Sequence, residues 1–279
     1  MEEALRRHYL RAMGIELWEQ RPALRVAQSE SAVVTETAVS VEGAVEVTIE
    51  PSPPVDAQVQ QVEPPGWWDE VPMPDTERAA TLEPDGGAAR TASEGVATLD
   101  WEALQRRVAG CERCPLHASR SNTVFGVGDR AARLMVIGEA PGAEEDRKGE
   151  PFVGRAGKLL DAMLLAIGLQ RSQVFIANIL KCRPPDNRDP RPEEALSCEA
   201  YLQRQVALVQ PQVILAVGRI AAQNLLQSQE AVGRLRGGEH RYRGIPVVVS
   251  YHPAYLLRSP EQKARSWQDL QRAARLLRE

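Results

Sequence analysis

Apolar residues are spread unevenly along this chain. From about residue 99 onward they form short unbroken runs that alternate with amphipathic stripes; before that they are scattered. The runs at 134–138 (LMVIG), 174–180 (VFIANIL), 213–218 (VILAVG) and 246–251 (PVVVSY) have the length of strands, and their continuity implies burial on both faces. The stretch 156–168 places Leu159, Leu160, Met163, Leu164 and Ile167 at helical spacing, with Gly168 as a stop. Further helices are predicted at 192–209, 219–226 and 260–277. In the first of these Pro192 opens the helix, and Glu193 and Glu194 suit its N-terminal dipole. Such alternation predicts an α/β fold, a three-layer α/β/α sandwich around a central, mainly parallel sheet.

The first hundred residues follow other rules. Leu10, Met13 and Leu17 recur at helical spacing before Pro22, so residues 1–25 are predicted to be a short helical peptide. Residues 26–97 carry eight prolines and 2 arginines against 14 acidic residues, with few large aliphatics. Such a stretch cannot bury enough apolar area to offset its ordering entropy, and a disordered acidic linker is expected. Its one bulky feature is Trp67-Trp68, a docking pair or a patch that packs on the folded part. The folded domain is then 98–279.

Charge divides at the same place. Residues 1–100 hold 7 basic and 19 acidic residues, a net −12; the remainder holds 27 and 19, a net +8. A basic folded part suits a polyanion such as nucleic acid, or only a solvated surface. The longest apolar stretches, such as 162–167 (AMLLAI), are too short to cross a bilayer, and the N-terminus has no secretory pattern. A soluble, cytoplasmic, monomeric protein without a membrane partner is expected, with thiols rather than disulfides.

Ligands of parallel sheets gather beyond the C-terminal strand ends, and the chemically distinctive residues of this chain fall there. Gly138, Glu139, Ala140, Pro141 and Gly142 follow the first strand. Asn178, Lys181 and Cys182 sit at or after the second, Gly218 after the third and His252 after the fourth. The four cysteines are Cys111, Cys114, Cys182 and Cys198, a C-x2-C pair and a C-x15-C pair. Together they match a tetrahedral zinc site or a four-iron cluster, and spacing alone leaves both open.

These residues resemble a known family. CERCPL at 111–116, GEAPGAEED at 138–146, GEPFVGRAG at 149–157, ANILKCRPP at 177–185, Cys198 and HPAYLLR at 252–258 are similar to the iron–sulfur (family 4) uracil-DNA glycosylases. The likeness spans about 170 residues, with mild departures at Ala177 and at Val127-Gly128. It implies a uracil-DNA glycosylase-like fold, DNA containing uracil as substrate, a [4Fe-4S] cluster on the four cysteines and a bacterial, nucleoid-associated enzyme of base-excision repair.

Each side chain has a matching chemical task. The Asn178 amide can pair with uracil N3–H and O4, a pattern cytosine reverses. Phe152 can stack on an everted base. His252, as a neutral imidazole, can donate to O2 of the departing uracil anion, helped by backbone N–H groups of the 138–142 loop. By resemblance Glu139 stabilises the developing sugar cation, and Glu145 lines the pocket or positions water. Ala140 stands where better-known members of the superfamily carry an aspartate. Glu144 and Asp146 read as an acidic helix start. Leu256 is expected at a loop tip as a wedge into the duplex, with Lys181, Arg183, Arg188, Arg191 and Arg258 on phosphates.

Residues 9–22 are similar to the N-terminal peptide of the psi subunit of bacterial DNA polymerase III. This implies docking on a clamp loader, with the acidic linker as tether. The competing readings are a non-catalytic, psi-like subunit built on a glycosylase fold and a cluster-bearing nucleic-acid binding module.

Overall fold

The computed structural model describes residues 95–279, together with the isolated positions Arg7 and Arg11. The predicted N-terminal peptide and the acidic linker with Trp67-Trp68 otherwise lie outside the described residues.

Six strands form one sheet: β1 (Val127–Gly128), β2 (Leu134–Gly138), β3 (Phe175–Asn178), β4 (Val213–Val217), β5 (His240–Tyr242) and β6 (Ile245–Ser250). Their order is β1-β3-β2-β4-β6-β5. The four central strands are parallel, and the two edge strands pair antiparallel. The chain leaves β2 toward β3 on one side and later returns to β4 on the other. Connections therefore diverge at the C-terminal end of β2, which opens a crevice there.

Eight helices pack on the sheet among the described residues: α1 (Trp101–Ala109), α2 (Ala143–Lys148), α3 (Arg155–Ala166), α4 (Pro192–Val209), α5 (Arg219–Leu226), α6 (Val232–Leu235), α7 (Pro253–Arg258) and α8 (Lys263–Leu276). Strand alternation divides the core in two. Met135, Ile137, Phe175, Ala177, Ile214, Ala216, Val247 and Val249 face α1, α4, α5 and α6 through residues such as Leu104, Tyr201 and Ala221. Leu134, Val136, Ile176, Leu215, Val217 and Val248 face α3, α7 and α8 through Leu160, Met163, Leu256 and Leu270. Every central strand is thus apolar on both sides, which is why its sequence is a continuous run. The three-layer α/β/α expectation holds.

Local signals set the helix ends. Asp100 caps α1 by accepting from the Ala103 N–H at 2.7 Å. Pro192 opens α4, and the Glu194 carboxylate reaches back to the Arg191 N–H at 2.9 Å. Two features depart from expectation. The edge strands β1 and β5 are too short and polar to be seen as apolar runs. The segment after His252 is the helix α7, not a loop tip.

Candidate active site

Gly138 and Asn178 end β2 and β3 and are register partners across the two strands. A Cβ added at Gly138 would lie 2.5 Å from Asn178 Oδ1 and 2.7 Å from the Phe152 ring. Glycine is therefore required at this floor position, because two functional side chains lie over it. The Phe152 ring stacks on His252, with centroids 5.5 Å apart and planes inclined by 28°. His252 in turn lies against Gly218 at the end of β4, where an added Cβ would come within 3.0 Å of the His252 Cβ. Asn178, Phe152 and His252, from three separate loops, thus meet over one floor. A hollow at the opposite end of the strands, near Leu134, Leu169 and Leu277, brings together none of this chemistry.

The electronic state of the site follows from its burial. Asn178 is 2% exposed, and its Oδ1 has no hydrogen-bond partner within the protein. An orphaned buried acceptor is costly to leave unpaired, so its persistence points to a ligand. His252 caps α7: its Nδ1 accepts from the Ala254 N–H at 3.1 Å. The proton of the neutral ring therefore resides on Nε2. Burial of the ring, and next the Arg258 charge, pull its pKa down to about 4, with Glu145 acting in the opposite direction. Glu139 is half-buried on the loop after β2. Burial and then nearby Asp189 push its carboxyl up to about 7, opposed by Arg219, which itself ion-pairs with Asp189.

Phe152 is held in a left-handed backbone conformation, φ 53°, which bulky residues seldom adopt. Two neighbours hold it there. Glu145 Oε1 accepts from the N–H groups of Val153 and Gly154 at 2.9 and 3.1 Å. Gly157 lets α3 lie against the loop, since a Cβ there would fall 1.7 Å from the Phe152 carbonyl oxygen. Glu145 Oε1 is thus engaged by backbone amides and shapes the Phe152 loop, and the carboxylate lies near enough to His252 to act on it electrostatically. Gly157 was quoted only as part of a motif, and no local pattern marks its close contact with Phe152.

Further expectations are corrected. Leu256 is 1% exposed and belongs to the core between α7 and the sheet, so it cannot wedge into DNA; its neighbour Leu257 is the exposed apolar residue, at 36%. Lys181 is 1% exposed and donates to the Asn178 carbonyl and to Gln205, so it reaches no phosphate. Arg188 is committed to a bidentate pair with Glu194 at 2.6 and 2.9 Å. Asp146 is buried, and its carboxylate accepts from the N–H groups of Ser121 and Asn122 at 3.0 to 3.3 Å, tying α2 to the cysteine-bearing loop. Of the 138–142 loop, Pro141 is buried, Gly142 caps α2, and Ala140 packs against the cysteines.

The four cysteines converge beside this pocket, all as free thiols. Burial raises the pKa of Cys114, Cys182 and Cys198, reaching about 12 for Cys198, and the sulfurs raise one another further: Cys111 acts on Cys114 and Cys182, Cys114 on Cys182 and Cys198, Cys182 on Cys198. Arg120 Nη1 donates to Cys182 Sγ at 3.1 Å, and Cys114, Cys182 and Cys198 share one small buried cluster. Four neighbouring sulfurs form a donor set of the kind that iron–sulfur centres use. Among the described residues no group of three or more His, Cys, Asp or Glu side chains is placed to hold a single metal ion.

A mainly parallel sheet whose diverging strand ends bring an amide, an aromatic ring and an imidazole together belongs to the α/β proteins that bind ligands at a topological switch point. The family model of the uracil DNA glycosylase superfamily matches residues 125–271, and the chain belongs to that superfamily. Within it, the chain is similar to the type-4 uracil-DNA glycosylase of Archaeoglobus fulgidus, 44% identical over 62% of this chain and 91% of that protein. It is 41% identical to the type-4 enzyme of Thermotoga maritima over 59% of this chain and 86% of that protein. Similarity to the type-5 uracil-DNA glycosylase of Thermus thermophilus is lower, 30% over 55% and 87%, which places the likeness on the type-4 side.

Proposed function

We propose that this chain is a monofunctional uracil-DNA glycosylase that hydrolyses the N-glycosidic bond of an everted deoxyuridine in base-excision repair. The observation that carries the reading is the convergence of Phe152, His252 and the unpaired Asn178 Oδ1 over Gly138. A base cut inside DNA must first leave the stack, and its edge is then read in a pocket. Asn178 Oδ1 accepts from uracil N3–H while its Nδ2 donates to O4; cytosine would meet donor with donor and acceptor with acceptor. The uracil ring lies on Phe152.

As the C1′–N1 bond breaks, its electron pair moves to the uracil and the sugar becomes cationic. His252 donates its Nε2–H toward O2 of the leaving anion, joined by backbone N–H groups of Ala140 and Gly142 in the 138–142 loop; Pro141 shapes that loop but has no N–H to give. Remaining neutral suits His252 to this task, because it offers the Nε2–H hydrogen bond without the desolvation cost of a buried imidazolium. Glu139 in its anionic form faces the sugar cation and orients water. Glu145 acts by holding the Phe152 loop. Leu257, rather than Leu256, is the apolar side chain available to the duplex, with Arg183, Arg191 and Arg258 on phosphates.

Cys111, Cys114, Cys182 and Cys198 would hold a [4Fe-4S] cluster. The donor set is all-sulfur, Cys182 accepts from Arg120, and the resemblance selects iron over zinc. When bound, that group clamps the 111–120 and 182–198 segments together beside the pocket. Residues 1–25 would dock on a clamp loader and the acidic linker would raise the local concentration of the enzyme at newly made DNA in the cytoplasm. No helix among the described residues is long and apolar enough to cross a membrane.

The test incubates anaerobically purified, brown protein with a uracil-containing oligonucleotide and cleaves abasic sites with alkali. Cleavage at uracil alone is expected. A brown, folded protein that leaves uracil untouched would return the pocket to the psi-like scaffold reading.

A further inference from the structure

Lys181 is a fully buried cation with no part in the chemistry described above. It lies in the segment that joins β3, with its reader Asn178, to the cysteine ligands. The next residue in the chain is Cys182, which lies with Cys198 in one buried cluster. Lys181 Nζ donates to the Asn178 carbonyl at 2.8 Å and to Gln205 Oε1 at 2.7 Å. Gln205 passes the restraint on, donating to the Phe125 carbonyl at 2.8 Å, while the Lys181 carbonyl accepts from the Val124 N–H at 2.8 Å. Burying an ammonium is expensive unless opposite charge and acceptors compensate it. Here two oxygen acceptors, the Asn178 carbonyl and Gln205 Oε1, compensate it.

Asn178 is the last residue of its strand. Its N-terminal side is fixed by pairing with Gly138, but its own carbonyl lies beyond the regular ladder. Lys181 supplies the partner that this carbonyl would otherwise lack. Turning that peptide plane would swing the amide that reads uracil, and misplacement by about 1 Å in such a site costs about a hundredfold in rate.

We propose that Lys181, one residue before Cys182, is a positioning residue that links the cysteine-bearing segment to base recognition: its ammonium fixes the Asn178 carbonyl and thereby the aim of the Asn178 side chain. The inference rests on the glycosylase reading. It predicts that disturbing the sulfur site and disturbing the reader are not independent events, because Lys181 pins the short segment 178–182 that carries both.

The experiment uses the full chain, prepared anaerobically, as wild type, Lys181→Met, Asn178→Ala and the double variant. Single-turnover excision of uracil, absorbance of the iron–sulfur chromophore and its bleaching rate in air are measured on each. Lys181→Met keeps the volume and removes charge and donors. It is expected to lower the excision rate about a hundredfold with KM for the oligonucleotide changed less than twofold, and to bleach severalfold faster. In the Asn178→Ala background the same substitution should change the rate less than threefold, since its route of action is already gone. Equal losses in both backgrounds, an unchanged rate, or a raised KM at unchanged rate would each overturn the coupling. If Lys181→Met does not fold, Lys181→Gln takes its place. It keeps a donor for the Asn178 carbonyl without the charge, so it should retain excision within about tenfold; loss of excision with a stable chromophore would refute the scheme. A wild type without uracil excision would instead sink the glycosylase reading itself.

Discussion

The pocket and the cysteine site share the C-terminal edge of one sheet, and they are finished to different standards. At the cysteine site Arg120 donates to Cys182, and one buried donor, Arg113 Nη1, is left without a partner. A few residues away the pocket leaves Asn178 Oδ1 unpaired, keeps Phe152 at φ 53°, holds Glu139 near a pKa of 7 and pulls His252 down to about 4. Unsatisfied groups and strained backbone cost stability, and they persist where function supplies the missing partner. The pocket combines an open acceptor with a strained backbone and shifted acid–base groups, whereas the cysteine site combines buried sulfurs with one open donor.

The sharpest way to break this contrast is at the pocket's donor. His252→Ala should lower kcat about 10²–10³-fold, as loss of a single transition-state donor does, while the iron absorbance stays intact. Loss of the chromophore in this variant would mean that the two regions are one structural unit. Gly138→Ala comes next: its methyl group would collide with Asn178 Oδ1 and the Phe152 ring, and about a hundredfold loss of excision is expected without loss of iron. An active Gly138→Ala enzyme would show that the pocket opens more widely than its floor implies.

From the other side, Cys198→Ser should remove most of the iron and lower excision by about 10–100-fold. Full activity in an iron-free variant would separate the two regions completely.

Glu139 supplies the pH test. With its carboxyl near 7, wild-type kcat should rise about tenfold between pH 6 and pH 8 as the anion forms, and Glu139→Gln should abolish that dependence. Stability follows the opposite sign. A raised folded pKa gives a contribution present below about pH 4.5 and lost as pH rises through 7. His252, with its lowered pKa, contributes stability that is lost as pH falls from about 6.5 toward 4. Thermal or denaturant unfolding should therefore find Glu139→Gln more stable than wild type at pH 8, by about 1–3 kcal/mol after allowance for partial exposure.

The smallest effect is expected at the helix α7 pair. Leu257→Ala should raise KM for duplex DNA a fewfold and leave stability unchanged. Leu256→Ala should instead destabilise the fold by about 2–5 kcal/mol, as a core cavity does. The reverse pattern would restore Leu256 as the wedge.

Much of the fold was legible before the structure. The bounds of α4 and α5 match the predicted 192–209 and 219–226, because Pro192 and Gly218 punctuate them. The central strands show as apolar runs because both of their faces are covered. The edge strands were not legible: β1 has two residues and β5 three, with one side open and no apolar run to announce them. Leu256 was misplaced because HPAYLLR was taken as a loop, although His252 as cap and Pro253 in the first turn are the signature of a helix start. Glu145 and Asp146 are adjacent in sequence and both acidic, yet α2 turns one toward the Phe152 loop and the other toward Ser121 and Asn122.

The sequence by itself determined the layered α/β architecture, the strand ends that carry chemistry and the side chains able to read uracil. These depend on hydrophobic period, turn residues and functional groups, all of which are local. The tertiary structure alone decided that Asn178, Phe152 and His252 meet over Gly138, that His252 carries its proton on Nε2, and that Lys181 faces inward. Those facts come from burial and hydrogen bonding between segments tens of residues apart, which no local pattern encodes.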